Sequence, residues 1–272
     1  ADAIVACSGS TSSEGRDRSS LRLDQHDFLV GLAESMVSWR EHVSFESGSG
    51  DVSAPPPLIV VAMAPGSVLT DWAAAADAAM LMFLAGEQTG EAWADVLLGD
   101  VNPTGKLPLT LPAREEDMVA PCVLVECEYT EGLHVGWRAL IDKDVQFPFG
   151  WGLSYSTFEY GWEGEPALRT EDAMLALSVR VTNVGSRAGA DVVQCYVQFP
   201  EATGEPTLVL RDFVKTAVLP QGGSAMVTFK LRSRDLSVWR KEGWQLVSGE
   251  GIYIHVGSSS RSLQLTKGPI VL

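Results

Sequence analysis

The apolar pattern of this 272-residue sequence changes once, near Pro166, and that change constrains the fold more than any single motif. Before it, apolar residues come in short unbroken runs: Ala3–Ser8 (AIVACS), Leu58–Ala64 (LIVVAMA) and Ala79–Leu84. Such runs suit strands of a parallel sheet covered on both faces. After it they alternate, as Leu175, Leu177, Val179 and Val181, then Val193, Cys195, Val197 and Phe199. Alternation marks strands with one face in a core. Ala225–Phe229 and Ile252–Val256 suit further strands, and turn residues such as Asn183, Gly185, Gly189, Pro200, Pro220 and Gly249 separate them. Arg234–Trp239 (RDLSVW) suits a single helical turn. Several short strands with little helical periodicity predict a β-sandwich.

The runs of the first part are spaced by helices. The strand at Ala3–Ser8 leads into a polar loop, SGSTSSEGRDR, after which Asp24 can cap a helix reaching about Ser38. Phe28, Leu29, Leu32, Ala33, Met36 and Val37 form its apolar stripe. Arg40–Pro57 is acidic and rich in Gly and Ser, and reads as an exposed loop. Leu58–Ala64 is the clearest buried strand, and after the Pro65-Gly66 turn Ala73–Ala78 makes a short helical link to the next. Gly86–Pro112 (GEQTGEAWADVLLGDVNPTGKLPLTLP) then gives a helix with Ala92, Val96 and Leu97 inward and Trp93 beside them. Gly99 can end that helix in a left-handed conformation. Asn102-Pro103 and Thr104-Gly105 are turns, and Leu107, Leu109 and Leu111 alternate as a short strand. Strand and helix in alternation predict a parallel sheet with right-handed crossovers, so the fold class is α/β plus all-β.

A net charge of −15 sets the chain against phosphate polymers, so a nucleic-acid partner is not expected. No apolar run approaches the roughly 18 residues needed to span a bilayer, so no membrane partner is expected. Cys7, Cys122, Cys127 and Cys195 form no CxxC unit; Cys122 and Cys127 are close enough to bridge, with reduced structural thiols the favoured state. His26, His42, His134 and His255 lack metal-ligand spacing. Ser8-Gly9-Ser10 follows a strand, yet neither a GxGxxG nor a P-loop pattern is present, and there is no GxSxG elbow. The chain begins at Ala1, with no charged and apolar leader, and reads as part of a longer protein. The compartment stays open, with extracellular and vacuolar locations among the options.

Four stretches in order then resemble one family. They are SSEGRDRSSLRLDQ at Ser12–Gln25, the Gly86–Pro112 segment, YTEGLHVGWR at Tyr129–Arg138 and FPFGWGLSYSTFEY at Phe147–Tyr160, continued by VTNVGSRAGADVVQCYV at Val181–Val197. Together they resemble the second and third domains of glycoside hydrolase family 3, the β-glucosidase and β-xylosidase group. The resemblance implies an α/β sandwich domain at 1–128, a connecting segment at 129–165 and a fibronectin-III-like domain at 166–272. It also implies a retaining reaction on a β-linked oligosaccharide or β-glycoside, with no metal or organic cofactor. The family's N-terminal (β/α)8 barrel has no counterpart here. Its nucleophile, a barrel aspartate, therefore matches no position of this sequence.

Retaining hydrolysis needs a nucleophilic carboxylate and a proton-donating acid about 5 Å apart. Glu14 is the candidate acid/base, in a loop at the carboxyl end of a strand, where open α/β sheets bind ligands. Members of the family with this EGxDR pattern carry the acid/base at the matching glutamate; from the loop alone, Glu14 could equally pair with Arg16 or Arg18. Asp17 and Arg18 are expected to brace the loop as a charge-assisted pair. Asp71 and Trp72 are candidate sugar contacts, with packing the commoner fate of such a tryptophan. Glu131 and Arg138 are expected to form a buried pair, and Trp151 and Tyr155 to lie at the joint between domains. A non-catalytic sugar-binding or scaffold protein is the rival reading, and a flavodoxin-like cofactor binder a third.

Overall fold

The computed structural model describes residues 2–46, 55–119, 122, 126–171 and 174–272. The chain forms two compact units: Ala1–Asp95 with Leu111–Cys127 and Asp144–Gln146, and Val96–Thr110 with Glu128–Lys143 and Phe147–Leu272.

The first unit holds the parallel sheet. Its strands are β1 (Ile4–Gly9), β2 (Leu58–Met63) and β3 (Ala78–Met82), with β2 central and both pairings parallel. The unbroken apolar run explains the centre: Leu58, Val60, Val61 and Ala62 are at most 2% exposed. Between β1 and β2 runs α1 (His26–Glu46), whose His26, Leu29, Ala33 and Met36 form a buried stripe at helical spacing. α1 packs against a 3-10 turn, Asp71–Ala75, that links β2 to β3. α2 (Thr89–Leu98) follows, ending at Gly99 in the expected left-handed conformation, φ +83°.

Several expectations change here. α1 continues past Ser38, so 40–46, expected as loop, is helix; Arg40–Glu46 contains no Gly or Pro to stop it. Arg40 also ties that end down, donating to the Ala75 carbonyl at 2.9 Å and pairing with Asp77. The rest of the expected loop, 47–54, lies outside the described residues. Phe28 and Val37 are 60% and 42% exposed, off the buried stripe. Ala92 is exposed, while Trp93, Val96 and Leu97 are half-buried. The expected strand through Leu107 and Leu109 is reduced to β4 (Leu111–Pro112), paired with β5 (Val145–Phe147). Pro108 has no N–H for a ladder. Leu107 instead exchanges backbone hydrogen bonds with Gly150 and Trp151 at 2.8 and 2.7 Å. Cys122 and Cys127 are disulfide-bonded, against the favoured thiols; five residues of separation bring them within bridging distance. Cys7 and Cys195 are free.

The second unit is the β-sandwich. Its strands are β6 (Phe158–Trp162), β7 (Ala167–Leu168), β8 (Leu175–Asn183), β9 (Val192–Gln198), β10 (Val209–Lys215), β11 (Ser224–Leu231), β12 (Ser237–Arg240), β13 (Gly243–Leu246), β14 (Ile252–Ser259) and β15 (Ser262–Ile270). One antiparallel sheet runs β11-β8-β6 with β7 on β8, the other β10-β9-β14-β15, and β12-β13 is a separate hairpin. The alternating residues supply the core: Leu175, Leu177, Val179 and Val181 meet Val193, Cys195, Val197, Phe229, Ile252, Ile254 and Val256, all at most 2% exposed. A 3-10 turn at Ser233–Leu236 precedes β12, so Arg234–Trp239 divides between turn and strand.

β9 is covered on its second face as well. Tyr196 is fully buried, donates to Gln194 and meets Trp137 edge-on, and Trp137 stacks on Phe149 at 4.9 Å. Burial pushes the Tyr196 phenol and the Cys195 thiol up from their ordinary pKa values. Asp191, 4% exposed, accepts from the Tyr160 hydroxyl and lies 3.1 Å from Lys106 Nζ, which also donates to the Gly152 carbonyl at 3.0 Å. Burial and the Asp191 charge hold the Tyr160 phenol protonated.

The sheet's two edges are both irregular. β10 shifts register between Leu210 and Asp212, and β15 shifts against β14 at three places. At one of these a Cβ on Gly257 would stand 2.0 Å from the Ser262 carbonyl oxygen. Since that oxygen is backbone, Gly257→Ala is expected to destabilise the unit by about 1–3 kcal/mol, read as a fall in urea midpoint with unchanged slope. A midpoint within error of the parent would contradict this.

Candidate active site

The loop between β1 and α1 holds Glu14, and its construction starts at its base. The Ser10 amide donates to the Met63 carbonyl at 3.0 Å, tying the loop's entry to the end of β2. Gly9 N and Ser8 Oγ both donate to Gln25 Oε1, at 3.0 and 3.2 Å. Asp24 Oδ2 accepts the Thr11 amide at 2.8 Å, and the Asp24 amide returns to the Gly9 carbonyl at 2.9 Å. Asp24 thus closes the loop's neck and does not cap α1, which starts two residues later.

The returning limb is held from another direction. Glu115 accepts from Ser20 Oγ at 2.9 Å and from the Leu21 amide at 2.7 Å, and the Leu69 amide donates to the Leu21 carbonyl at 3.0 Å. Sequence reasoning missed Glu115, because 95 and 94 residues separate it from Ser20 and Leu21 and it sits in an ordinary-looking acidic stretch. At the tip, Ser13 and Arg16 form an isolated bridge and Gly15 takes φ +74°, a conformation glycine adopts without strain. Glu14 is exposed at that turn. Among the described residues no hydrogen bond or ion pair ties it to Arg16, Arg18, Asp71 or Trp72. The loop is pinned at its neck and leaves the Glu14 carboxylate exposed at its tip.

The bracing pair expected of Asp17 and Arg18 does not form. Arg18 instead donates to the Arg22 carbonyl, with Asp17 exposed. Arg18 therefore steadies the loop through backbone. Trp72 is 4% exposed, so its ring is packing and not an open sugar platform. Asp71 Oδ1 lies 3.2 Å from Nε2 of His26, which is 3% exposed at the start of α1. The pair Asp71 and Trp72 thus anchors the 3-10 turn under α1. Four buried polar atoms near these loops have no partner among the described residues: Ser10 Oγ, His26 Nδ1, Thr70 Oγ1 and Trp72 Nε1.

Other candidates resolve simply. Glu131 and Arg138 are half-buried and do not pair among the described residues. Trp151 and Tyr155 belong to the second unit. There Trp151 packs on Phe147, and Tyr155 donates to the Val96 carbonyl at 2.6 Å with Arg187 over its ring. His255 is held between Gln198 and Thr266, and its burial lowers its pKa. Among the described residues no group of three or more His, Cys, Asp or Glu could hold a metal ion.

Comparison with known proteins places these features in context. Residues 1–155 match the model of the glycosyl hydrolase family 3 C-terminal domain, and residues 191–260 that of a fibronectin type III-like domain. A probable β-glucosidase D of Aspergillus niger is 32% identical over 97% of the chain and 36% of its own length. Among solved structures, β-glucosidase D2-BGL from Chaetomella raphigera matches at TM-score 0.84 with 27% identity, over 100% of the chain and 40% of its own. DesR, a β-glucosidase from Streptomyces venezuelae solved with D-glucose, matches at TM-score 0.81 with 30% identity, over 100% and 34%. The chain thus spans well under half the length of each of these relatives.

Proposed function

The chain belongs to glycosyl hydrolase family 3, and we propose that within the complete protein it forms the C-terminal part of a retaining, exo-acting β-glycosidase. Its substrates are β-linked oligosaccharides or β-glycosides ending in glucose or xylose. Glu14 is the acid/base: it protonates the leaving glycosidic oxygen, then takes a proton from the water that hydrolyses the glycosyl-enzyme intermediate. The nucleophile comes from a (β/α)8 barrel outside this sequence. On this reading 1–128 is the α/β sandwich domain, 129–165 the connection and 166–272 the fibronectin-III-like domain, with the end of the connection, Phe158–Trp162, adding strand β6 to the sandwich, and no metal or organic cofactor takes part.

One observation carries the proposal: an exposed glutamate at the tip of a loop pinned by Asp24, Gln25 and Glu115, at the carboxyl end of a parallel strand. Asp17 stands beside Glu14 in the exposed loop, and Arg18 holds the limb behind it. Asp71 and Trp72 support α1, and direct contact with the sugar is left to the barrel. The β-glucosidase names of the relatives support glucose as the terminal sugar.

With one of two carboxyl groups supplied from outside, the 272-residue chain alone is expected to leave 4-nitrophenyl β-glucoside intact, as read by nitrophenol release. Turnover by the chain that is lost in Glu14→Gln would overturn the division of labour. Saccharide binding without turnover by the complete protein would replace it with a binding or scaffold role.

A further inference from the structure

The parallel sheet of the first unit stops at β1, yet β1 is not built as an edge strand. Its sequence, Ile4–Gly9 (IVACSG), holds no charge and no proline, and it pairs with β2 in unbroken register from Ile4 with Leu58 to Gly9 with Met63. Edge strands of native sheets carry charges, prolines or bulges because an open regular edge recruits other strands. Both edges of the four-stranded sheet in the second unit are broken in this way. The side chains of β1 agree. Val5 is 51% exposed and Cys7 is exposed too, although an unbroken apolar run is the pattern of a strand with neighbours on every side.

The backbone shows which groups are open. In a parallel pair, alternate residues turn their N–H and C=O toward the same neighbour. Ile4 donates to the Pro57 carbonyl at 2.9 Å and Ser10 to the Met63 carbonyl at 3.0 Å, so Ile4, Ala6 and Ser8 turn toward β2. Val5, Cys7 and Gly9 turn the other way. There Gly9 is already taken, donating to Gln25 Oε1 and accepting from the Asp24 amide. Val5 and Cys7 have no strand on that side, and among the described residues nothing pairs with their outward groups. Two donors and two acceptors stand open beside two exposed apolar side chains.

We propose that in the complete protein a further parallel strand pairs with β1 at Val5 and Cys7, supplied by the part of that protein outside these 272 residues. Such a strand requires the longer protein of the reading above and is independent of the role of Glu14. The relatives have ample chain for it, since the match covers 36% of the Aspergillus niger protein and 40% of the Chaetomella raphigera one. Both existing pairings are parallel, a pattern that a crossover within one chain continues, whereas two copies related by a twofold axis would bring their β1 strands together antiparallel. An edge about 20 Å long also offers a second copy far less than the about 800 Å² per partner that a stable interface buries. The carboxyl end of the added strand would lie beside Asp24 and Gln25, at the neck of the Glu14 loop.

Cys7 reports on this edge directly, because Cys122 and Cys127 are bonded to each other and Cys195 is buried. Maleimide labelling under native conditions is expected to modify Cys7 readily in the 272-residue chain and about a hundredfold more slowly in the complete protein. Loss of the label in Cys7→Ser identifies the thiol. Val5→Lys is expected to leave the urea midpoint of the chain alone unchanged and to lower that of the complete protein, where it puts a charge into a covered strand. Equal labelling of Cys7 in both proteins, or a Val5→Lys midpoint unmoved in both, would overturn the proposal. Protection already present in the 272-residue chain would also overturn it, as pairing with a second copy if light scattering gives a dimer and as an edge closed by the chain itself if it gives a monomer. Protection in a complete protein that hydrolyses no glycoside would uphold the added strand and fail the glycosidase reading alone.

Discussion

Glu14→Gln in the complete enzyme is expected to lower kcat about 10²–10⁴-fold on a glycoside with a poor leaving group. The amide keeps the shape of the side chain and removes the transferable proton. The loop's neck, made by Asp24, Gln25 and Glu115, does not involve the Glu14 side chain, so the fold should survive the change. A good leaving group departs without protonation, so cleavage of an activated aryl glycoside should suffer much less in its first step. The basic limb of the pH–rate profile should disappear, because it reports loss of the acid's proton. An unchanged profile would remove Glu14 from the chemistry and leave its loop a structural role.

The second large effect is on stability. Lys106→Met is expected to destabilise the β-sandwich unit by about 3–5 kcal/mol, measured by urea unfolding, because it strands a buried carboxylate. Lys106 and Asp191 have side chains 12% and 6% exposed, and Asp191 also accepts from Tyr160 and from the Val192 amide. Replacing both partners, as Lys106→Met with Asp191→Asn, should recover much of the loss, since no unpaired charge then remains. A single-variant loss below about 1 kcal/mol would show that water reaches the pair.

These two sites differ in how much of them the sequence discloses. The Glu14 loop was legible because its ingredients are local: an unbroken apolar strand, a Gly/Ser-rich segment and a glutamate beside a glycine. The strands around Leu177, Val193 and Ile254 were legible because alternation reports burial directly. The Lys106–Asp191–Tyr160 cluster was not, since its members are 85 and 31 residues apart in two of its links and neither neighbourhood is unusual. Glu115 was hidden for the same reason. Local propensity also misled where a tertiary contact or a missing donor decided the outcome: Arg40 extended α1 by anchoring to Ala75 and Asp77, and Pro108 kept Leu107 and Leu109 out of a strand. Asp24 looked like a helix cap and became the clasp of the loop, because its carboxylate found the Thr11 amide first.

The irregular edges of the four-stranded sheet have a consequence for behaviour in concentrated solution. A regular edge strand is a template on which another molecule's strand can grow. Here β10 breaks step between Leu210 and Asp212, while β15 loses register repeatedly and carries Lys267 and Pro269 near its end. An incoming strand could match only a few successive donors and acceptors on either side before the spacing failed, and at Pro269 it would meet no donor at all. Growth of this sheet is therefore interrupted at both of its edges.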